Sequence, residues 1–327
     1  MGPTRIAQLV LALAVTVTLS GPHAQAMAAD YPRKPIRIIV GIAPGGGLDT
    51  VTRVGARKIN ERWGQSVIVD NRPGGGTVIA SDLASQATPD GYTLLSATDT
   101  LILNSVLKRV KYDVRKTFVP VVQMSGQMYM LLVVPSLPIR SVQELVAYAK
   151  SKPGALNYGS AGLATTSHLG MERLSSMAGI QLTHVPYRGN APAMMDMLAG
   201  QIQLGFSSTI SSTPHVRGGR LRAIAVTGPQ RAKSFPDIPT VAESGLPGYQ
   251  VTNKYALFAP AGTPAPIILA INETVSRGMN QPETAKWLEA DGAEAAPPAT
   301  PRQFKATFDR TYDELEKQVA PMKIRLK

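Results

Sequence analysis

The chain has 327 residues, no cysteine, four histidines and a formal net charge of +12, with aromatic residues at 6%. That length suffices for two ordinary domains and a substantial core, while the absence of thiols excludes disulfides, thiolate nucleophiles and Cys-ligated metal. The basic residues are scattered without interleaved aromatics, so the charge points to anionic solutes or a membrane surface in general, and nucleic acid is not an expected partner.

Residues 1–5 are a short basic lead, residues 6–20 are apolar and uncharged, and Ala24-Gln25-Ala26 or Ala26-Met27-Ala28 fits a small-x-small cleavage site. The pattern predicts a cleaved secretory signal peptide over residues 1–28, with an apolar run too short to span a bilayer comfortably. No cysteine follows to carry a lipid anchor, and losing Arg5 leaves a net charge of about +11. The mature chain is expected outside the cytoplasm.

The first mature strand, Ile36–Val40, is an apolar run of the kind a buried parallel strand produces. It breaks into Ala43-Pro44-Gly45-Gly46-Gly47 and resumes at helical spacing through Leu48, Val51, Gly55, Ile59 and Trp63, with Gly64 as the stop. A strand, glycine turn and helix start expose N–H groups without intrahelical acceptors at the positive end of the helix dipole, where an anion fits. The turn is neither a Walker loop, because Leu48-Asp49 stand where Lys-Ser/Thr is needed, nor a G-x-G-x-x-G fingerprint. A tight turn without a ligand is the plainer alternative, and recurrence of the arrangement weighs against it.

It recurs at once. A strand over residues 66–69 meets Asp70-Asn71-Arg72-Pro73-Gly74-Gly75-Gly76 before a helix over residues 78–87, and a third strand over residues 92–97 ends in Thr98, Asp99 and Thr100. Residues 119–124 and 129–134 read as consecutive strands with no helix between them, which suggests a crossing between domains. Ser141-Val142-Gln143-Glu144 is a capping box opening a helix to Lys150. A second βα series follows. A strand over residues 156–158 runs into the hydroxyl-rich loop Gly159-Ser160-Ala161-Gly162-Leu163-Ala164-Thr165, with Thr165 or Thr166 as helix N-cap. Strands over residues 182–185, 202–206 and 221–226 alternate with a helix over residues 191–199 and a short helix near residues 214–216. Residues 228–247 are loop-like, residues 251–259 form the returning strand, and helices over residues 263–279, 283–290 and 300–319 close the chain against the first domain.

Alternating elements imply an α/β fold with parallel sheets in two units: domain 1 from residues 29–128 plus 251–327, and domain 2 from residues 129–250. Ligands in such sheets lie beyond the carboxyl ends of the strands, so two facing edges make a clamp with an interdomain cleft. Catalytic equipment is not evident. There is no G-x-S-x-G elbow, no paired carboxylates and no His spacing for metal. His168 falls about one turn inside its helix and reads as packed, while His184 and His215 read as structural. Asp49 is either a base or, more simply, the acceptor that fixes its loop. Arg72 and Arg188 are carboxylate clamps or solvated loop residues, and Met194, Met195 and Met197 read as core.

The runs from Gly41 to Asp49, Asp70 to Gly76, Pro89 to Leu95, His184 to Gly189 and Pro239 to Gly248, in this order, resemble the Bug family. These are periplasmic solute-binding receptors of tripartite tricarboxylate transporters, and the likeness covers essentially the whole mature chain. The resemblance implies a two-lobed periplasmic-binding-protein fold of type II: two open, mainly parallel sheets joined by two crossing strands, closing on a small organic carboxylate. It implies a periplasmic monomer that delivers its ligand to membrane permease subunits, or alternatively presents it to a sensor-kinase ectodomain, without cofactor or catalysis. The candidate ligand-binding residues are Ala43, Pro44, Gly45, Gly46, Gly47, Asp49, Thr50, Arg72, Gly76 and Thr98 in the first lobe. The second lobe supplies Ser160, Ala161, Gly162, Ala164, Thr165, Ser207 and Ser208. Two positions depart from the family's pattern. Ala164 replaces a glycine, and Ser207 stands where Asp is frequent, which predicts an anionic ligand such as a di- or tricarboxylate or aromatic acid rather than an amino acid.

Overall fold

The computed structural model describes residues 31–319; the expected signal peptide lies outside them. The first strand, β1 (Ile36–Val40), is flanked by β2 (Val67–Asn71) and β3 (Thr93–Ala97), all parallel. Ile36, Ile38, Ile39 and Val40 are fully buried, each stabilising the fold by about 1.5–3 kcal/mol relative to exposure. Helix α1 (Gly47–Trp63) starts at Gly46 in extended conformation and stops at Gly64, whose φ of 67° lets its N–H reach Asn60 O. A 3₁₀ turn over Gly75–Thr77 precedes α2 (Val78–Ser85). Between β3 and the crossing lie α3 (Thr100–Val106) and the short α4 (Val114–Thr117). Sequence patterning missed both, because Thr98, Asp99 and Thr100 read as the polar end of a strand while Asp99 sits at a helix N-cap.

The crossing is β4 (Phe118–Val133), one 16-residue strand where the sequence suggested two. Ser125-Gly126-Gln127 looks like a break but stays in register: Ser125 and Gly126 pair with β9 (Thr252–Pro260) on one side and β10 (Glu294–Ala295) on the other. Irregularities at Pro120/Val122 and Gln123/Ser125 absorb the bend. The far half, Tyr129 to Val133, lies between β7 (Leu204–Ser208) and β8 (Arg222–Val226). The first sheet therefore runs β2-β1-β3-β9-β4-β10. The second runs β6-β5-β7-β4-β8, with β5 (Asn157–Ser160) and β6 (Thr183–Pro186) parallel to β7's side of the sheet. In each lobe three parallel strands are followed by antiparallel crossing strands.

The second lobe's helices are α5 (Val142–Ser151), α6 (Thr166–Ala178), α7 (Asn190–Leu198) and α8 (Thr209–Arg217), the last longer than residues 214–216 suggested. Ser141 Oγ accepts the Glu144 N–H at 3.1 Å, the first half of a capping box, while the Glu144 carboxylate accepts from Arg140 N–H, one residue before the N-cap that the motif would bond. Thr165 caps α6, which ends at Gly179 in left-handed conformation. The chain returns through Val251, whose N–H and C=O both bond Thr227, into β9. Helices α9 (Ala265–Met279), α10 (Pro282–Ala290) and α11 (Pro301–Val319) pack on the first lobe. Phe304 and Phe308, one turn apart on α11, pack against Phe258 of β9 with tilted rings, their centroids at 5.9 and 5.3 Å.

Candidate functional site

The two lobes touch along their strand ends. Ala43 N–H donates to Arg188 O at 2.8 Å. Thr100 Oγ1 lies 3.2 Å from Thr166 Oγ1, and Thr209 Oγ1 donates to Gly292 O at 3.0 Å. Arg109 Nη1 donates at 2.8 Å both to Asn104 Oδ1 in its own lobe and to Leu163 O across the gap. Asn104 in turn holds Gly76 O at 2.9 Å, so one chain of bonds ties the second glycine loop to the opposing lobe.

Between these contacts lies a cavity of about 40 Å³. At roughly 10–15 Å³ per water, it holds about three waters or a compact ligand. Five helices begin at its wall. Gly46 and Gly47 belong to the start of α1, Thr77 and Ser81 to α2, Thr98 and Thr100 to α3, Thr165 and Ser167 to α6, and Asn190 to α7. Among the described residues lining it, none is charged. The field inside is that of converging helix N-termini, each carrying roughly +0.5 charge, with hydroxyls and amides as the only side-chain polar groups. Such a wall favours a negatively charged guest without fixing a counter-ion beside it.

Of the residues singled out from sequence, Gly46, Gly47, Thr98, Ala161 and Thr165 line this cavity. The others surround or support it. Asp49 is buried and accepts from Gly45 N at 3.0 Å, Asn71 Nδ2 at 2.9 Å and Arg53 Nε at 3.0 Å. Burial works against its charge, yet these bonds, Arg53 foremost, hold its carboxyl below the usual range. Asp49 thus has the geometry of an acceptor fixing the loop. Thr50 Oγ1 donates to Gly46 O, and Pro44 and Gly45 are exposed. Arg72 is not brought to the cavity: Asp70, two residues back, takes its Nε at 2.9 Å, and its side chain is 53% exposed. Gly76 and Gly162 meet across the gap, where a Cβ on Gly76 would lie 2.2 Å from Leu163 O.

The second-lobe loop is tied internally. Ala161 N–H donates to Ser167 Oγ at 3.0 Å, Gly162 N–H to Ser160 Oγ at 3.1 Å, and Ala164 N–H to His168 Nδ1 at 3.1 Å. Ala164 adopts φ 63°, the left-handed region that suits glycine. Ser160 is fully buried and bonds His184 Nε2 at 2.6 Å, beneath the cavity rather than in it. His168 and His184 stack with ring centroids 4.0 Å apart. Burial, with Arg109 beside His168 and with His168 beside His184, pulls both imidazoles down to about 4. Ser207 and Ser208 bond Ser211 Oγ at 3.0 and 2.8 Å. Ser208 Oγ also lies so near Gly47 that a Cβ there would approach it to 2.3 Å.

Sequence reasoning missed the cavity floor. Tyr129 of β4 and Asn253 and Tyr255 of β9 line it, and Asn253 Nδ2 donates to Tyr129 Oη at 2.7 Å. Tyr129 read as the first residue of an apolar run, and only the pairing of β4 with β9 puts the three side chains together. Burial pushes both phenols well above their ordinary range, so they act as neutral hydrogen-bonding groups.

Compared with known proteins, residues 51–317 match the family model TctC, described as a tripartite tricarboxylate transporter family receptor. Protein BugT of Bordetella pertussis (strain Tohama I) is 32% identical over 303 residues, covering 91% of this chain and 92% of that protein. An R. palustris structure with adipate is 31% identical with a TM-score of 0.85, covering 89% of this chain and 98% of that one. MatC from Rhodopseudomonas palustris with bound malate is 29% identical with a TM-score of 0.84, covering 88% and 100%.

Proposed function

The chain belongs to the tripartite tricarboxylate transporter receptor family, and from that premise we propose that its interlobe cavity holds the carboxylate of a small organic acid. It is a periplasmic solute-binding receptor on a two-lobed type II fold, not an enzyme. The observation that carries the reading of the site is the convergence of five helix N-termini on an enclosed cavity lined by no charged side chain. Helix ends and hydroxyls supply the donors for an anion, and the bonds between the lobes, above all Arg109 to Leu163 O, hold the clamp shut around it.

We place the division between lobes at residues 128 and 251, with hinge bending there. We further infer a monomer exported by cleavage of residues 1–28, with the permease of a tripartite transporter as recipient. A pull-down against permease and sensor-kinase ectodomains separates delivery from signalling. Relatives solved with adipate and malate make dicarboxylates the first ligands to try. The test is a thermal-shift screen over mono-, di- and tricarboxylates, since a ligand that binds only the folded chain raises its melting temperature. A hit weakened by Thr165→Ala supports the site; a panel in which no carboxylate shifts the melt overturns the reading.

A further inference from the structure

Asn253 lies on the crossing strand β9 and is 3% exposed. Its nitrogen is used, donating to Tyr129 Oη at 2.7 Å. Its other end, Oδ1, is buried with no donor. On the opposite side, Asn190 at the start of α7 also keeps a buried Oδ1 without a donor. Both asparagines line the same cavity. Two unpaired carbonyl oxygens on one small cavity are unusual in a native fold, and a carboxylate, which only accepts hydrogen bonds, satisfies neither. A guest that brings a donor of its own pairs one of them directly. An ammonium would enter without a counter-charge, because no Asp or Glu lines the cavity, and a buried unpaired charge is costly. A hydroxyl donates while remaining neutral.

Resting on the carboxylate reading above, we propose that the ligand is a hydroxycarboxylate whose chain hydroxyl donates its one hydrogen bond to the free carbonyl oxygen of Asn253, the more deeply buried of the two amides. The acid group is held by the helix ends, and the Asn253 amide reads the carbon chain beside it. Tyr129 is the positioning residue: by accepting from Asn253 Nδ2 it turns the oxygen toward the guest.

Isothermal titration with two matched triplets decides the matter: malate, succinate and aspartate, then 2-hydroxyglutarate, glutarate and glutamate, so that chain length does not hide the effect. Within at least one triplet the hydroxy acid should bind about tenfold or more tighter than the other two, since a buried acceptor left unpaired discriminates at that scale. Asn253→Leu should abolish the preference, so that the ratio of hydroxy-acid to plain-diacid affinity falls to about one. Tyr129→Phe should narrow the gap although the Asn253 amide remains. Equal affinities for plain and hydroxy acids, or tightest binding by the amino acid, refute the hydroxyl proposal and leave the carboxylate function standing. Silence from both triplets refutes this proposal, and silence that extends to the whole panel of mono-, di- and tricarboxylates refutes the function reading with it.

Discussion

Gly76→Ala asks whether the lobes must meet for the receptor to retain its guest. Gly76 has φ 62°, and a Cβ there would sit 2.2 Å from Leu163 O and 2.6 Å from Arg109 Nη1. A carbon meets a carbonyl oxygen comfortably only at about 3.3 Å, so the lobes would have to part by roughly 1 Å at this point. That takes the 2.8 Å bond from Arg109 to Leu163 O and the 3.2 Å Thr100–Thr166 contact beyond useful reach. A bond from a charged donor contributes about 1.5–3 kcal/mol and a neutral one about 0.5–1.5 kcal/mol, so closure loses about 2–4.5 kcal/mol. Apparent affinity should fall roughly 30- to 1,600-fold, at 1.4 kcal/mol per tenfold. Titration with the best carboxylate from the screen measures this, and small-angle scattering should show the variant staying extended when the ligand is added. Backbone strain alone is controlled by Gly64→Ala, where φ is 67° with nothing within 4 Å. That change should lower stability by about 1–2 kcal/mol and leave affinity unchanged. Binding by Gly76→Ala within threefold of the parent would refute the latch.

Ala164→Gly should raise stability by about 1 kcal/mol, read from urea midpoints, because it relieves a left-handed backbone at a non-glycine residue. Stability should also depend on pH through His168 and His184, whose folded values near 4 lie below the ordinary 6.5. Between those limits the unfolded chain binds protons that the native pair refuses, so stability is full above about pH 6.5 and falls as pH drops toward about 4. His168→Asn should flatten that slope in urea titrations at stepped pH. An unchanged slope would mean that the pair does not titrate in this window.

What could be read from the sequence was whatever is local. Gly46 and Gly64 bracket α1 through backbone conformation alone, and Ser141, Thr165 and Thr300 cap their helices with partners three residues on. The first loop and part of the second were legible for that reason. Arg72 was harder, because which way a loop arginine turns depends on the carboxylate it meets, and Asp70 is nearer than the cavity. The floor was hidden for a stronger reason. Tyr129 and Asn253 are 124 residues apart and join only through antiparallel register, which no short-range pattern encodes. Likewise, Ser125-Gly126-Gln127 imitates a turn unless strands on both sides are known to pair with it.

The uninterrupted course of β4 through both sheets has a consequence for taking the molecule apart. A single cut near residue 128 would part β9 from both of its neighbours, β3 and the Phe118–Met128 stretch of β4, leaving raw hydrogen-bonding edges on both fragments. The first lobe thus needs chain from both sides of the second to complete its sheet.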